Sequence, residues 1–168
     1  MHNIFKVSLG LSLFKNTNQL KEKTIDYILR ATWMAVQKMY NEKAGIKGST
    51  MATGFALISI EPEKGTPSTA LGPKMGIEAT SLSRTLKKME KQGLIERRPN
   101  PEDGRGVLIH LTPFGIEMRE FSKRVVFTFD EAVKEHISEE EIKTFKKVAT
   151  TMMELISNKN IYKKVIPN

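Results

Sequence analysis

Hydroxyl and basic side chains recur at helical spacing along residues 78–92. At 100° per residue, the apolar residues of this segment gather on one side and the polar residues on the other. The apolar side carries Ala79, Leu82, Leu86 and Met89, and the polar side carries Thr80, Arg84, Lys87 and Lys91, bordered by Ser81 and Lys88. Short hydroxyls and arginine can reach base edges in a DNA major groove, and lysines neutralise phosphates. The pattern therefore predicts a DNA-reading helix, with an ordinary solvated amphipathic helix as the alternative.

The positive charge of the chain is concentrated in the same region. The 168-residue sequence has 27 Lys and Arg against 19 Asp and Glu, a net charge of +8. Half of this excess falls between residues 84 and 98, where the acids are Glu90 and Glu96 and the bases are Arg84, Lys87, Lys88, Lys91, Arg97 and Arg98. Such a balance favours a polyanionic partner, either nucleic acid or an acidic membrane surface.

A β-ribbon is predicted directly after this helix. Residues 94–98 and 107–111 resemble strands, and the turn-rich run 99–104 between them predicts a long tip. Arg105 at the tip could enter a minor groove, whose negative potential attracts arginine. Asp103 could hold that guanidinium by a charge-assisted pair. A solvated loop arginine is the alternative for Arg105.

Several classes of chemistry are excluded or disfavoured by composition. Because the chain has no cysteine, it has no disulfide, thiolate zinc site, cysteine nucleophile or thiol switch. The three histidines are far apart, and the sequence lacks a phosphate loop and a G-x-S-x-G motif. The acidic run 139–141 is better explained as a helix start than as a catalytic pair. We therefore expect no enzyme activity, no metal and no cofactor.

The remaining elements predict one mainly α domain with a small β-ribbon. Thr66 is expected to cap a helix that starts at Pro67, Thr112 precedes another at Pro113, and Ser138 with Glu141 forms a capping box. The predicted helices span 17–43, 49–60, 67–75, 78–92, 113–135 and the region after Ser138. The short helices 67–75 and 78–92, joined by a glycine turn at 75–77, form a helix-turn-helix pattern.

The apolar run 7–14 near the N-terminus is too short to span a bilayer, which takes about 20 residues. It is expected to pack on a partner subunit; an export signal and a short strand are the alternatives. We therefore expect a cytoplasmic protein without a membrane partner.

Together, these pieces resemble the winged helix-turn-helix of the MarR (multiple antibiotic resistance regulator) family of bacterial transcription regulators. The matching segments, in order, are 80–84 with Leu86, Met89 and Glu90, then 93–97, 103–105 and 111–115. The resemblance implies a winged-helix subunit that dimerises through its terminal helices. It also implies a repressor that binds a pseudo-palindromic operator and is released by a small ligand. Residues 49–112 would form the DNA-binding lobe, and residues 1–48 and 113–168 the dimerisation helices and arms of one 168-residue domain.

The resemblance also implies roles for single residues. Thr80, Ser81, Ser83 and Arg84 would face bases, Lys87 and Lys88 phosphates, and Arg105 the minor groove with Asp103 as its brace; Arg97 joins the DNA-binding set. The sequence departs from the family at Gly72-Pro73, where a proline removes a backbone hydrogen bond from the first helix of the pair.

An effector pocket, if present, would involve large apolar side chains of the long helices. The candidates are Trp33, Met34, Phe55, Met118 and Phe121. An apolar pocket with few polar groups suits a small apolar or aromatic ligand, whereas plain core packing is the alternative for each residue. The sequence thus predicts a homodimeric regulator of double-stranded DNA. A non-specific architectural DNA-binding protein is the main rival, and a protein-interaction module is a third interpretation.

Overall fold

The computed structural model describes residues 23–158, apart from the side chains of residues 104 and 105. The chain divides into two compact units, with the boundary between Lys123 and Arg124. The predicted division into a lobe at 49–112 and flanking dimerisation segments stays a prediction. The arms 1–22 and 159–168, including the predicted apolar run 7–14, lie outside the described residues.

The first unit opens with two helices that begin at threonine caps. Helix α1 spans Ile25–Gly45, and the Thr24 side chain accepts a hydrogen bond from the Tyr27 amide at 3.2 Å. The predicted helix 17–43 is not continuous through Thr24, because Thr24 has an extended backbone and caps a helix that begins at Ile25. The predicted start at residue 17 lies outside the described residues. Helix α2 spans Met51–Ser59 and is capped in the same way by Thr50.

Thr66 is not a helix cap. Thr66–Pro67 forms a two-residue strand, β1, in which Thr66 is opposite Ile109 of a later strand. The Thr66 hydroxyl accepts instead from the Glu61 amide at 2.9 Å, and the side chain is buried. Strand pairing therefore takes the place of the predicted cap.

Helix α3 spans Ser68–Met75 and contains Pro73, which has no N–H to donate to the preceding turn. The helix nevertheless continues to Met75 and ends at Gly76, whose φ of 63° suits glycine. The predicted turn at 75–77 is confirmed.

Helix α4 spans Ala79–Lys91, followed by strands β2 (Ile95–Asn100) and β3 (Asp103–Leu111). The sheet has the order β1-β3-β2, and both pairings are antiparallel. The long tip expected at 99–104 is wrong: the pairing continues past a bulge to Asn100 opposite Asp103. The ribbon therefore closes in a tight turn.

The core of this unit joins α2, α3, α4 and the sheet. Leu57, Leu71, Met89 and Ile109 are fully buried and come from each of these elements in turn. Because buried side chains pack closely against one another, this core fixes α4 against the sheet. The surface of α4 that points away from this core is consequently held in a defined direction.

Helix α5 spans Pro113–His136 and crosses the boundary between the units. In the second unit, α6 spans Glu139–Ser157 and starts with the predicted capping box of Ser138 and Glu141. Helix α6 has no buried residue, and Phe145 and Ile156 are each 66% exposed. The mainly α fold with a small β-ribbon is confirmed, and the sheet has one more strand than predicted.

Candidate nucleic-acid interface

Helix α4 separates its side chains into a buried and an exposed face. Leu82, Leu86 and Met89 are buried in the core, as predicted. Ala79, predicted on the same face, lines the same cavity as Leu82 and Leu86 but is exposed at the first position of the helix. Besides Ala79, the exposed residues of α4 are Thr80, Ser81, Ser83, Arg84, Lys87, Lys88, Glu90 and Lys91. The structure thus places the predicted reading residues of α4 on one solvent-facing surface.

The hydroxyl groups at the start of α4 differ in their bonding. Thr85 is only partly exposed, and its hydroxyl donates to the Ser81 carbonyl at 3.0 Å. Among the described residues, no side-chain partner is found for the hydroxyls of Thr80, Ser81 or Ser83. These three groups are therefore available to donate to, or accept from, an external ligand.

The cations near α4 fall into two groups. Arg97 of β2 donates from Nε to Glu90 Oε2 at 3.1 Å, and Arg98 pairs with Glu96. Within the described part of the chain, Arg84, Lys87, Lys88 and Lys91 form no ion pair. The uncompensated positive charge is consequently concentrated on α4 rather than on β2.

The tip of the ribbon is built by Asn100 and Asp103. The Asn100 side chain accepts from the Glu102 amide at 3.1 Å, which stabilises the turn. Asp103 is exposed. Arg105 belongs to β3, but its side chain lies outside the described residues, so the brace between Asp103 and Arg105 stays a prediction.

A cavity of about 340 Å³ lies between α3, α4 and β2. Leu82 and Leu86 contribute apolar surface to it, and Ser83 and Arg97 are among its polar lining residues. The cavity therefore adjoins the surface of α4 that carries the predicted reading residues.

The five predicted effector residues lie elsewhere. Trp33 and Met34 are 47% and 62% exposed on α1, whereas Met118 belongs to the core at 3%. Phe55 contacts Tyr40 edge-on, and the Phe121 ring lies 6.0 Å from Lys47 Nζ. Their role in ligand binding stays a prediction.

Two contacts at this surface have no signal in the sequence. Glu90 belongs to a helix and Arg97, seven residues later, to a strand. Neither the helical nor the strand periodicity of the sequence therefore predicts that they pair. The hydroxyl of Thr112, expected only to start α5, also donates to the Gly93 carbonyl at 2.6 Å. The motif L-T-P was visible in the sequence, but only the fold brings Gly93 within reach of Thr112.

In residues 23–158, no helix has the length and apolar character needed to cross a membrane. The same part of the chain contains no cluster of three or more His, Asp or Glu residues suited to holding a metal ion.

Known proteins resemble this chain in both sequence and fold. Residues 50–107 match the MarR family model. The chain is 28% identical over 139 residues to the organic hydroperoxide resistance transcriptional regulator of Bacillus subtilis, which covers 83% of this chain and 93% of that protein. An S. aureus MepR–DNA complex matches with a TM-score of 0.73 and 22% identity over 79% of this chain and 98% of the other. A mutant MarR from E. coli complexed with operator DNA matches with a TM-score of 0.68 and 23% identity, covering 76% and 91%.

Proposed function

Because this chain belongs to the MarR family of transcriptional regulators, we propose that it binds a pseudo-palindromic DNA operator as a homodimer and represses transcription in the cytoplasm. The observation that carries the proposal is the exposed face of α4. Thr80, Ser83 and Arg84 lie there with unengaged polar groups, while Leu82 and Leu86 hold the opposite face in the core.

The roles on this face follow from side-chain chemistry. Arg84 can donate two hydrogen bonds to guanine O6 and N7, and the hydroxyls can either donate or accept at base edges. Lys87 and Lys88 are exposed one turn farther along, where a compact ammonium group suits a phosphate. Arg105 is proposed to contact the minor groove from the ribbon.

Apolar side chains that are exposed to solvent in the single chain support the proposed homodimer. Helix α1 exposes Ile25 at 63%, and α6 exposes Phe145 at 66% and Met153 at 60%. Exposed apolar residues grouped on helices mark surfaces that bind a partner. Sedimentation analysis of the full chain is expected to give a dimer, and Phe145→Glu is expected to shift it toward monomer.

We also propose that a small apolar or aromatic ligand releases the DNA. A ligand that favours a different spacing of the two reading helices lowers operator affinity by the difference in its affinity for the two states. Phe121 and its neighbours are the proposed contacts, and the cavity beside Ser83 and Arg97 is the alternative location. Binding of the same ligand to the Phe121→Ala and Ser83→Ala variants distinguishes the two locations. Weaker binding to Phe121→Ala alone favours the first location, and weaker binding to Ser83→Ala alone favours the cavity.

The experiment that tests the function is selection of bound duplexes from a random pool at about 150 mM salt. Recovery of one inverted repeat with half-sites about ten base pairs apart is expected. Tight binding without a motif favours the rival function, a non-specific architectural protein, because a regulator prefers its operator by about 10³ or more. Absence of binding would refute both.

A further inference from the structure

The end of α4 and the beginning of α5 meet at a single side chain. The Thr112 hydroxyl donates to the Gly93 carbonyl at 2.6 Å and accepts from the Gly115 amide at 2.9 Å. Gly93 lies two residues after Lys91, the last residue of α4, and Gly115 lies in the first turn of α5. One hydroxyl therefore bonds to both helix ends.

The backbone closes the same junction from two further directions. The Thr112 amide donates to the Leu94 carbonyl at 3.1 Å, and the Leu94 amide donates back to Met89 of α4 at 3.0 Å. A Cβ atom on Gly115 would lie 1.9 Å from the Leu94 oxygen. Helix α5 therefore approaches the backbone just before β2 as closely as glycine permits. The hydrogen-bonded path from Met89 to Gly115 is thus continuous.

We propose that Thr112 is a positioning residue for DNA reading, because its hydroxyl fixes the direction of α4 relative to the first turn of α5. The inference rests on the proposed function. Threonine suits this role because its hydroxyl is both a donor and an acceptor, while its Cβ branch limits side-chain rotation. Valine has the same shape without the hydroxyl, and serine keeps the hydroxyl without the methyl group.

The preference for operator over random duplex is the first measurement. Thr112→Val is expected to lower this ratio about tenfold, the factor that corresponds to loss of about 1.4 kcal/mol, and Thr112→Ser is expected to restore most of it. Thr50→Val is the matched control, since Thr50 caps α2 through the Thr53 amide at 3.2 Å and forms no bond to α4. It should lower the melting temperature and leave the ratio unchanged. An unchanged ratio in Thr112→Val would overturn the proposal.

Hydrogen exchange tests the junction without DNA. Removal of the hydroxyl is expected to speed exchange at the Leu94 amide as well as at Gly115, because the two helix ends open together. Faster exchange at Gly115 alone would mean an ordinary helix cap and would overturn the coupling.

If Thr112→Val does not fold, native-state exchange of the wild-type chain decides. The amides of Leu94 and Gly115 should then exchange through one opening reaction, with the same free energy of opening and the same dependence on denaturant. Different opening reactions for the two amides would overturn the coupling. If the wild-type chain selects no operator, the proposed function fails, while the exchange data still decide whether the junction is rigid.

Discussion

Arg97 of β2 donates to Glu90 of α4 at 3.1 Å, so the ribbon and the proposed reading helix share an ion pair across their surfaces. The Arg97 and Glu90 side chains are 35% and 42% exposed. A pair this exposed to solvent stabilises the fold by less than about 1 kcal/mol. Its larger consequence is electrostatic, because Glu90 neutralises one cation of the basic region.

The first prediction concerns the salt dependence of DNA binding. Each phosphate contact adds about 0.9 to the slope of log affinity against log salt. Lys88→Ala is expected to lower the slope by about that amount, whereas Arg97→Ala lowers it by less because Glu90 already balances the charge. Titrations of one duplex at several salt concentrations measure both slopes.

Glu90→Gln provides the control for this prediction. In that background Arg97 loses its partner, so Arg97→Ala is expected to change the slope as much as Lys88→Ala does. An equal loss for Arg97→Ala in the wild-type background would show that Glu90 does not neutralise Arg97 in the complex.

The second prediction separates sequence reading from phosphate binding. Arg84→Ala is expected to reduce discrimination at one base pair of the operator by about 1–3 kcal/mol, the value of a bidentate arginine–guanine contact. Lys88→Ala should weaken binding to all sequences alike. Affinities for the operator and for single-base variants measure both effects. An unchanged footprint for Arg84→Ala would remove this residue from the reading set.

The predicted elements whose signals are local agree with the structure. Helix α4 follows from the spacing of Leu82, Leu86 and Met89, and Ser138 with Glu141 marks the start of α6 within four residues. Both patterns depend only on neighbours one or two turns away, so the sequence contains them in full.

Two of the errors involve strand pairing, which the local sequence does not determine. Thr66 has the local features of a helix cap, but it pairs with Ile109, and nothing near Thr66 indicates that partner. Ala79 continues the apolar spacing of α4, yet it is exposed at the first position of the helix. Likewise, the pairing of Asn100 with Asp103 is decided by the whole ribbon rather than by its turn-forming residues. Long-range register therefore decides what local propensity leaves open.

The third prediction concerns the stability of the second unit. Ser138 accepts from the Glu141 amide, while the Glu141 carboxylate accepts from the Ser138 amide at 3.0 Å. Loss of this cap in Ser138→Ala is expected to destabilise α6 by about 1 kcal/mol. Urea denaturation followed by circular dichroism measures the change, and an unchanged midpoint would mean that α6 does not depend on its capping box.

The capping box also predicts a pH dependence. Hydrogen bonds from the Ser138 side chain and backbone hold the pKa of Glu141 below its ordinary value of 4.5. A lowered folded-state pKa means that the ionised carboxylate stabilises α6 at pH values above its unfolded pKa. This contribution is lost as the pH falls through the folded value. Acid titration of Glu141→Gln is expected to lack this part of the loss of helicity, and an identical titration in both proteins would contradict the assignment.

The last prediction compares two glycines in helices. At Gly115 an added Cβ would lie 1.9 Å from the Leu94 oxygen, and this backbone atom is held by the hydrogen bond from Thr112. Gly115→Ala must therefore separate α5 from the backbone at Leu94, and we expect a loss of about 3 kcal/mol or more. Gly45 is the last residue of α1 and has no atom within 4 Å of such a Cβ. Gly45→Ala is expected to stabilise the chain by about 0.5–1 kcal/mol because alanine loses less backbone entropy in a helix. Denaturation midpoints of the two variants should lie on opposite sides of the wild-type value, and a stable Gly115→Ala protein would show that the two helix ends can separate without loss of the fold.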